Sequence, residues 1–354
     1  MPVQRRSILG LDLLQLEEFL IGLKQPKYRA RQIFSWIYQK QVRDFSLMTD
    51  LSGELRKILQ ENFTCFDLLA EKESKSEDGT EKFLLKLYDA NFVEAVSIPA
   101  VERTTGCISS QVGCKFACKF CASGALGFKR DLSVGEMLSE ALFLKSHCAK
   151  RELTHIVFMG TGEPLDNYDN VLKAVRMINA PYGMNIGARR ITISTCGIPP
   201  AIRKLAQEGL QIELSISLHA ADDKKRSSLM PINKKYPLAD LFSACKEYIE
   251  KTNRQITFEY ILIKGLNSDL QSALNLSKIL NTLKLAKVNL IPANPVDPAL
   301  ARKGWMEPPN KLEILMFKDK LIKSGVNVTL RRPRGADIEA ACGQLRLRHA
   351  QKEE

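Results

Sequence analysis

From residue 133 onward the chain repeats one pattern: a helix-like segment, a short β-rich run, then another helix. Helix 133–148 leads to "THIVFM", a helix after Asp166 leads to "RITIST" at 190–195, and a helix from Pro200 leads to "IELSISL". Helix 237–251 precedes "ITFEYILI", a helix over 270–283 precedes "KVNLI", and one from Pro308 precedes "VNVTL". With "CISSQ" counted as the first strand, this makes six or seven βα units. Such alternation implies an α/β fold with a parallel sheet wrapped by helices, either open or curled into a barrel. In both forms ligands gather at the carboxyl ends of the strands. Just past the runs lie "GTGEPLDN", "STCG", "SLH", "KGLN" and "PANP", polar or glycine-rich, so the site is expected at that end.

The first sixty or so residues read as helices instead. "LLQLEEFLIGL" and "YRARQIFSWIYQK" carry apolar residues at three- and four-residue spacing, Pro26 separates them, and "GELRKILQENF" is a third candidate. Residues 1–45 hold eight Lys or Arg against four acids. "EKFLLKLYD" and "FVEAVSI" then read as two strands. The expected organisation is a basic helical module at 1–75, a β linker at 76–100, a βα barrel at 101–346 and a flexible tail at 347–354.

The net charge of +12 and pI near 9.2 favour a polyanionic partner, most simply nucleic acid, although a basic surface kept for solubility gives the same numbers. No apolar run approaches the ~18 residues a membrane span needs. "MPVQRRSILGLDLLQ" has no apolar core or cleavage site, so a cytoplasmic protein without a membrane partner is expected. Nine cysteines in that setting point to free thiols, metal ligands or catalysis rather than a disulfide framework.

Three of them, Cys114, Cys118 and Cys121, stand at C-x3-C-x2-C in "GCISSQVGCKFACKFCASGALGF", with Cys107 seven residues upstream. Structural zinc wants four ligands, usually in pairs, and no suitably spaced pair accompanies these. Three cysteines on one loop can instead hold a 4Fe–4S cluster by three irons, leaving the fourth open. With Phe120 directly before the last cysteine, the loop resembles that of the radical S-adenosylmethionine superfamily. That resemblance implies a partial (βα)6 barrel, one cluster on Cys114, Cys118 and Cys121, and S-adenosylmethionine bound at the open iron and split to a 5′-deoxyadenosyl radical. "GTGEP" matches the element that holds the methionine amino group, which carries over to Gly162 and Glu163; alone, this motif is a common turn.

"CISSQVGC", "VEAVSIP", "RRITIST", "SLHA", "MPINKKYP", "NLIPANP" and "RGADIEAACGQLR" together resemble the RNA adenosine C2-methyltransferases over nearly the whole chain. These bacterial enzymes modify 23S rRNA at the peptidyl-transferase centre and tRNA next to the anticodon. Carbon 2 of adenine lies between two ring nitrogens and is too electron-poor to attack a sulfonium methyl, whereas a carbon radical can add to it. The resemblance implies that Cys342 takes a methyl group from one S-adenosylmethionine as a thiolate. A deoxyadenosyl radical from a second molecule then removes hydrogen from that S-methyl group, and the resulting carbon radical adds to the base. Cys107 attacks the sulfur of Cys342 to release the product, leaving a disulfide that must be reduced again. Glu94 aligns with the acid proposed to take the C2 proton. Ser194, Ser217, Leu218, His219 and Asn294 align with contacts to S-adenosylmethionine; without the resemblance, His219 reads as a strand-end packing residue. The implied partners are RNA and a reductant such as flavodoxin, and a monomer is expected. The basic helices resemble the family's RNA-binding module, and Arg331, Arg332 and Arg334 are expected on RNA phosphate. The target adenine is expected as a splayed or flipped loop base.

Cys65, Cys148, Cys196 and Cys245 match nothing functional and are expected as buried small apolar residues. Thr161 stands where the family usually has methionine, Ala293 replaces an aromatic before Asn294, and "VDPALARKGWMEPP" is the chain's own. Two other readings remain: a C8-methylating sister enzyme conferring antibiotic resistance, and an iron–sulfur RNA-binding protein without catalysis.

Overall fold

Strand residues in the second half of the chain mostly alternate between apolar and polar, and the two sets end up on opposite sides of one sheet. The computed structural model describes residues 6–65, 68–125, 127–147, 152–293, 306–331 and 334–340. A short parallel pair, β1 (Arg6–Ser7) and β2 (Phe63–Thr64), ties the ends of the N-terminal module together. Between them lie α1 (Leu13–Gly22), α2 (Tyr28–Phe34) and α3 (Gly53–Asn62). Asp12 and Gln15 form a capping box at the start of α1, and the Ser52 hydroxyl caps α3. Their buried faces, among them Leu16, Leu20, Ile33, Phe34, Leu55 and Leu59, join the same apolar core as the barrel helices.

Next come β3 (Leu69–Lys75), β4 (Glu81–Lys86), β5 (Phe92–Pro99) and β6 (Thr104–Ile108), paired antiparallel in sequence. The expected strands at 81–89 and 92–98 are β4 and β5. The strand β3 was not expected, because "LAEKESK" has no apolar alternation: it is the charged edge of the sheet, where polar residues discourage further pairing. "CISSQ" is not one strand. Its first two residues end β6, and Ser109–Ser110 lead into β7 (Gln111–Gly113), which forms a hairpin with β8 (Phe128–Asp131) around the cysteine loop and its short α4 (Ala122–Ala125).

The βα units follow: α5 (Val134–His147), β9 (His155–Phe158), α6 (Tyr168–Asn179), β10 (Ile191–Thr195), α7 (Pro199–Ala206) and β11 (Glu213–Ser217). Then come α8 (Asp223–Leu229), α9 (Leu238–Thr252), β12 (Ile256–Leu262), α10 (Leu270–Leu280), β13 (Ala286–Pro292), α11 (Lys311–Lys323) and β14 (Asn327–Leu330). The sheet runs β14-β13-β12-β11-β10-β9-β6-β5-β4-β3, parallel from β14 to β6 and antiparallel beyond. This is an α/β partial barrel of six βα units with a closing strand and an antiparallel flap. Among the described residues no helix is long and apolar enough to cross a membrane.

Ile108, Ile156, Phe158, Ile193, Ile216, Phe258, Tyr260, Val288 and Leu290 face outward into the helices. Each such side chain stabilises by about 1.5–3 kcal/mol on burial. The residues between them, Cys107, Val157, Thr192, Ser194, Ser215, Thr257, Glu259, Lys287 and Asn289, face the concave side by the same alternation.

Candidate active site

The hairpin β7–β8 presents Cys114, Cys118 and Cys121 at the mouth of that concave face. Gly113 adopts φ +78°, and a Cβ there would lie 1.8 Å from the Gly127 carbonyl oxygen, so only glycine lets the loop close on itself. The loop is held by Cys114 N–H to Gly127 O (2.9 Å), Cys121 N–H to Cys118 O (3.1 Å) and Lys119 N–H to Leu229 O (3.0 Å). Burial pushes the Cys114 thiol up to about 12, and the neighbouring Cys121 adds to it. Cys118 is raised well above the usual thiol range by burial, then by Cys121 and Cys114. Burial and neighbouring cysteines oppose ionisation of Cys114 and Cys118 in this way, and a cationic centre would reverse the effect. Among the described residues no group of three Cys, His, Asp or Glu side chains could hold a single metal ion. Zinc would need its sulfurs about 3.8 Å apart, given bonds of about 2.3 Å. A 4Fe–4S cluster, with each thiolate on its own iron, takes wider spacing, and three thiols on one loop are a donor set it accepts.

Gly162 lies beside the loop's root at φ +105°, where a Cβ would come within 2.5 Å of the Gln111 side chain. Gln111, fully buried, organises this corner: its Oε1 accepts from Glu163 N–H (2.9 Å), and its Nε2 donates to Asp131 (2.8 Å) and Asp166 (2.9 Å). The Glu163 carboxylate is itself buried and accepts from Leu165 N–H (2.9 Å) and Cys196 N–H (2.7 Å), joining the ends of β9 and β10. Burial raises its pKa, against those hydrogen bonds.

Ser194 and Ser217 sit on the concave face of β10 and β11. The Leu218 side chain is buried in the outer core, and its N–H donates to Glu259 O (3.0 Å). His219 takes a left-handed backbone (φ 58°) and is buried; its Nδ1 accepts from Ile261 N–H (3.1 Å), and Phe120 of the cysteine loop meets its ring edge-on at 4.4 Å. Burial lowers its pKa to about 3, so the imidazole is neutral. His219 and the cysteine loop therefore touch directly. A polar ladder continues across the concave face: Asn289 Nδ2 donates to Glu259 (2.8 Å) and Thr329 Oγ1 to Asn289 (3.0 Å).

Cys107 pairs with Val96 across β5–β6, so both share the concave face with Glu94, two residues before Val96. Cys107 packs there with Val96 and Ala340. Glu94 is buried and ion-paired with Lys82 at 3.3 Å. Residues 334–340 are latched to the turn between β3 and β4. Asp337 accepts from Ser76 Oγ (2.6 Å), Asp78 accepts from Gly335 N–H (3.0 Å), and Lys82 donates to Glu339 O (3.2 Å). Cys342 and Asn294, with Cys148, Arg332 and His349, lie outside the described residues. Cys65, Cys196 and Cys245 are buried, as expected.

Sequence reasoning missed Ser109, Gln111, Glu140 and Arg226. Ser109 Oγ donates to Glu94 O and accepts from Thr161 N–H, both at 3.0 Å, and its N–H donates to buried Glu140 (3.0 Å). One hydroxyl thus links the strand of Glu94 to the loop of Glu163. The signal available was a polar residue inside a run otherwise read as strand.

The profile of the radical SAM superfamily matches residues 108–276, and that of the ribosomal RNA large subunit methyltransferase N-terminal domain matches residues 7–65. A probable dual-specificity RNA methyltransferase RlmN from Caldanaerobacter subterraneus is 46% identical, covering 97% of this chain and 98% of its own length. One from Enterococcus faecalis is 42% identical over 99% of both. A solved radical SAM methyltransferase from Sphaerobacter thermophilus superposes with a TM-score of 0.91 at 42% identity, covering 96% of this chain and 99% of that one. With the fold, the cysteine loop and the N-terminal module all matched, the chain belongs to the RlmN-type RNA methyltransferases of the radical SAM superfamily.

Proposed function

We propose that this methyltransferase places a methyl group on C2 of adenosine in 23S rRNA and in tRNA beside the anticodon, through a methylated Cys342 and a resolving Cys107. Two molecules of S-adenosylmethionine are used per turnover: one methylates Cys342, the other provides the hydrogen-abstracting radical. Held by Cys114, Cys118 and Cys121 with one iron open, the cluster supplies the electron for that cleavage, drawn from a reductant such as flavodoxin. Gly162, Glu163, Ser194, Ser217, Leu218, His219 and Asn294 form the pocket for S-adenosylmethionine. Glu163 works there by joining two strand ends, and neutral His219 by its edge contact with Phe120.

The observation that carries this reading is the packing of Cys107 on Val96 and Ala340, on the face that also bears Glu94. Cys342 follows Ala340 by two residues, and two residues of chain span at most about 7 Å. A segment of that length permits the approach a disulfide requires. Glu94 accepts the C2 proton, and the adduct radical would give up one electron to the oxidised cluster. Thiolate attack by Cys107 on the sulfur of Cys342 then forms the disulfide and breaks the sulfur–carbon bond, and the methylene left on the base takes up a proton to become the methyl group. Both groups act on one substrate bound between them. Lys82 pairs with the Glu94 carboxylate at 3.3 Å and holds it in place. The basic N-terminal helices grip RNA phosphate, and the protein works as a monomer in the cytoplasm.

The test is mass mapping of 23S rRNA and tRNA fragments after anaerobic incubation with reductant and S-adenosylmethionine. Methyl at C2 is expected in both RNAs. Methyl at C8 without C2 overturns the position, and S-adenosylmethionine left uncleaved by iron-loaded protein overturns catalysis.

A further inference from the structure

Behind the cysteine loop, α8 carries the largest fully buried side chain of the described residues, and it is charged: Arg226. Its guanidinium gathers the ends of two strands. Nη2 donates to Cys196 O (2.7 Å) and Ser217 O (3.2 Å), Nε donates to Leu218 O (3.2 Å), and Nη1 donates to Asn233 Oδ1 (2.8 Å). These acceptors satisfy the N–H groups without cancelling the charge. No carboxylate of the described residues pairs with it: Asp223 accepts instead from Asn233 Nδ2 (2.9 Å) and Leu238 N–H (2.9 Å). A buried charge without a counter-ion costs several kcal/mol, so an anionic partner is expected in the working protein.

The same helix supports the loop. Leu229, at its end, accepts the Lys119 N–H (3.0 Å), and Cys118, Phe116 and Phe120 pack on Leu229, Met230 and Cys196. The guanidinium donates to the Cys196 carbonyl, and Cys196 packs in the same cluster as Cys118, which sets Arg226 behind the loop.

We infer that Arg226 is a positioning residue with two tasks: it is the fixed counter-charge of the cluster held by the cysteine loop, and it clamps the ends of β10 and β11 that border the cofactor pocket. This rests on the reading of Cys114, Cys118 and Cys121 as cluster ligands. A cluster held by three thiolates is net anionic, and one electron from a low-potential donor makes it more so. A buried cation beside it therefore favours the reduced form. The carbonyl oxygens of Cys196, Ser217 and Leu218, turned toward Arg226, have their negative ends neutralised by the same group.

The test is an EPR-monitored redox titration with dithionite on anaerobically reconstituted full-length protein, comparing wild type with R226Q, R226K and D223N. With iron content retained, R226Q is expected to lower the one-electron reduction equilibrium about tenfold, a midpoint about 59 mV more negative. R226K keeps the charge and is expected to restore most of that shift, while losing the planar clamp and weakening the spectral change on adding S-adenosylmethionine. Where R226Q fails to fold, D223N decides: removing the nearby carboxylate is expected to move the midpoint the other way. An unchanged midpoint in R226Q or D223N overturns the inference, as does R226K shifting as far as R226Q. Wild-type protein that takes up no iron defeats the cluster reading itself.

Discussion

Along β12, Phe258 and Tyr260 turn outward into the helices, while Thr257 and Glu259 turn into the hollow of the barrel. The contrast repeats from β6 to β14: one face of the sheet is aliphatic and aromatic, the other is built from thiol, hydroxyl, carboxyl and amide groups. The helix side needs only shape and apolarity, and it holds the strands in place. The hollow side carries polar groups that are costly to bury, among them Glu259, Asn289 and Thr329 joined by hydrogen bonds, and it presents them toward the strand ends where the cysteine loop arrives. Stability and chemistry thus sit a few ångströms apart on the same strands, divided by side-chain direction alone.

That division can be broken by substitution. The largest effect is expected from Cys107→Ala on the hollow face. Turnover should fall at least about a thousandfold while a covalent RNA–protein adduct accumulates, and thermal stability should stay close to wild type. Gel analysis of RNA bound to protein and a melting curve together check this; normal turnover would sink the resolving role. On the opposite face, Phe258→Ala removes a fully buried ring stacked on Phe242 at 5.2 Å. It should lower stability by about 3–5 kcal/mol in denaturant titration, with cysteine methylation unaffected in the fraction that remains folded.

Asn289→Leu is smaller. It strips a partner from both Glu259 and Thr329 and should cost about 1–3 kcal/mol. An Asn289 variant less stable than the Phe258 variant would contradict the assignment of stability to the helix side. Thr329→Val, which removes a single hydroxyl donor, should cost about 0.5–1.5 kcal/mol by the same titration.

The smallest effect concerns the latch at the edge of the sheet. Burial alone would raise the Asp78 carboxyl, but hydrogen bonds from Thr80, Gly335 and Ser76 outweigh it and hold the pKa at about 2. Because this folded value lies below the unfolded one of about 3.9, the contribution is complete above pH 4 and lost as pH falls toward 2. Hydrogen exchange at the Gly335 amide, corrected for its intrinsic rate, should lose protection across that window. Asp78→Asn should weaken protection at neutral pH; unaltered protection would show that the latch does not depend on this carboxylate.

Much of this was legible in the residues. The helix–strand alternation placed β9 to β14 within a few residues, and the spacing of Cys114, Cys118 and Cys121 put three thiols on one loop, which lies between β7 and β8. Two things were not. The edge strand β3 is polar at most positions, because its neighbours lie on one side only and it has no core to face, so periodicity passes over it. Ser109 and Gln111 looked like continuations of one strand, yet Ser109 leaves the ladder and Gln111 opens a separate hairpin, and both hydrogen-bond residues some fifty positions away, an association that no local pattern encodes.

The order of apolar and polar residues alone determined the succession of elements and the existence of two chemically different sheet faces, because a strand's side-chain period is a local property of the backbone. Only the tertiary structure decided that Cys107 meets Ala340, that one hydroxyl joins Glu94 to the Glu163 loop, and that Arg226 lies buried behind the cysteines. Those are encounters between segments far apart in the chain, selected by how the layers pack and not by any residue's own preference.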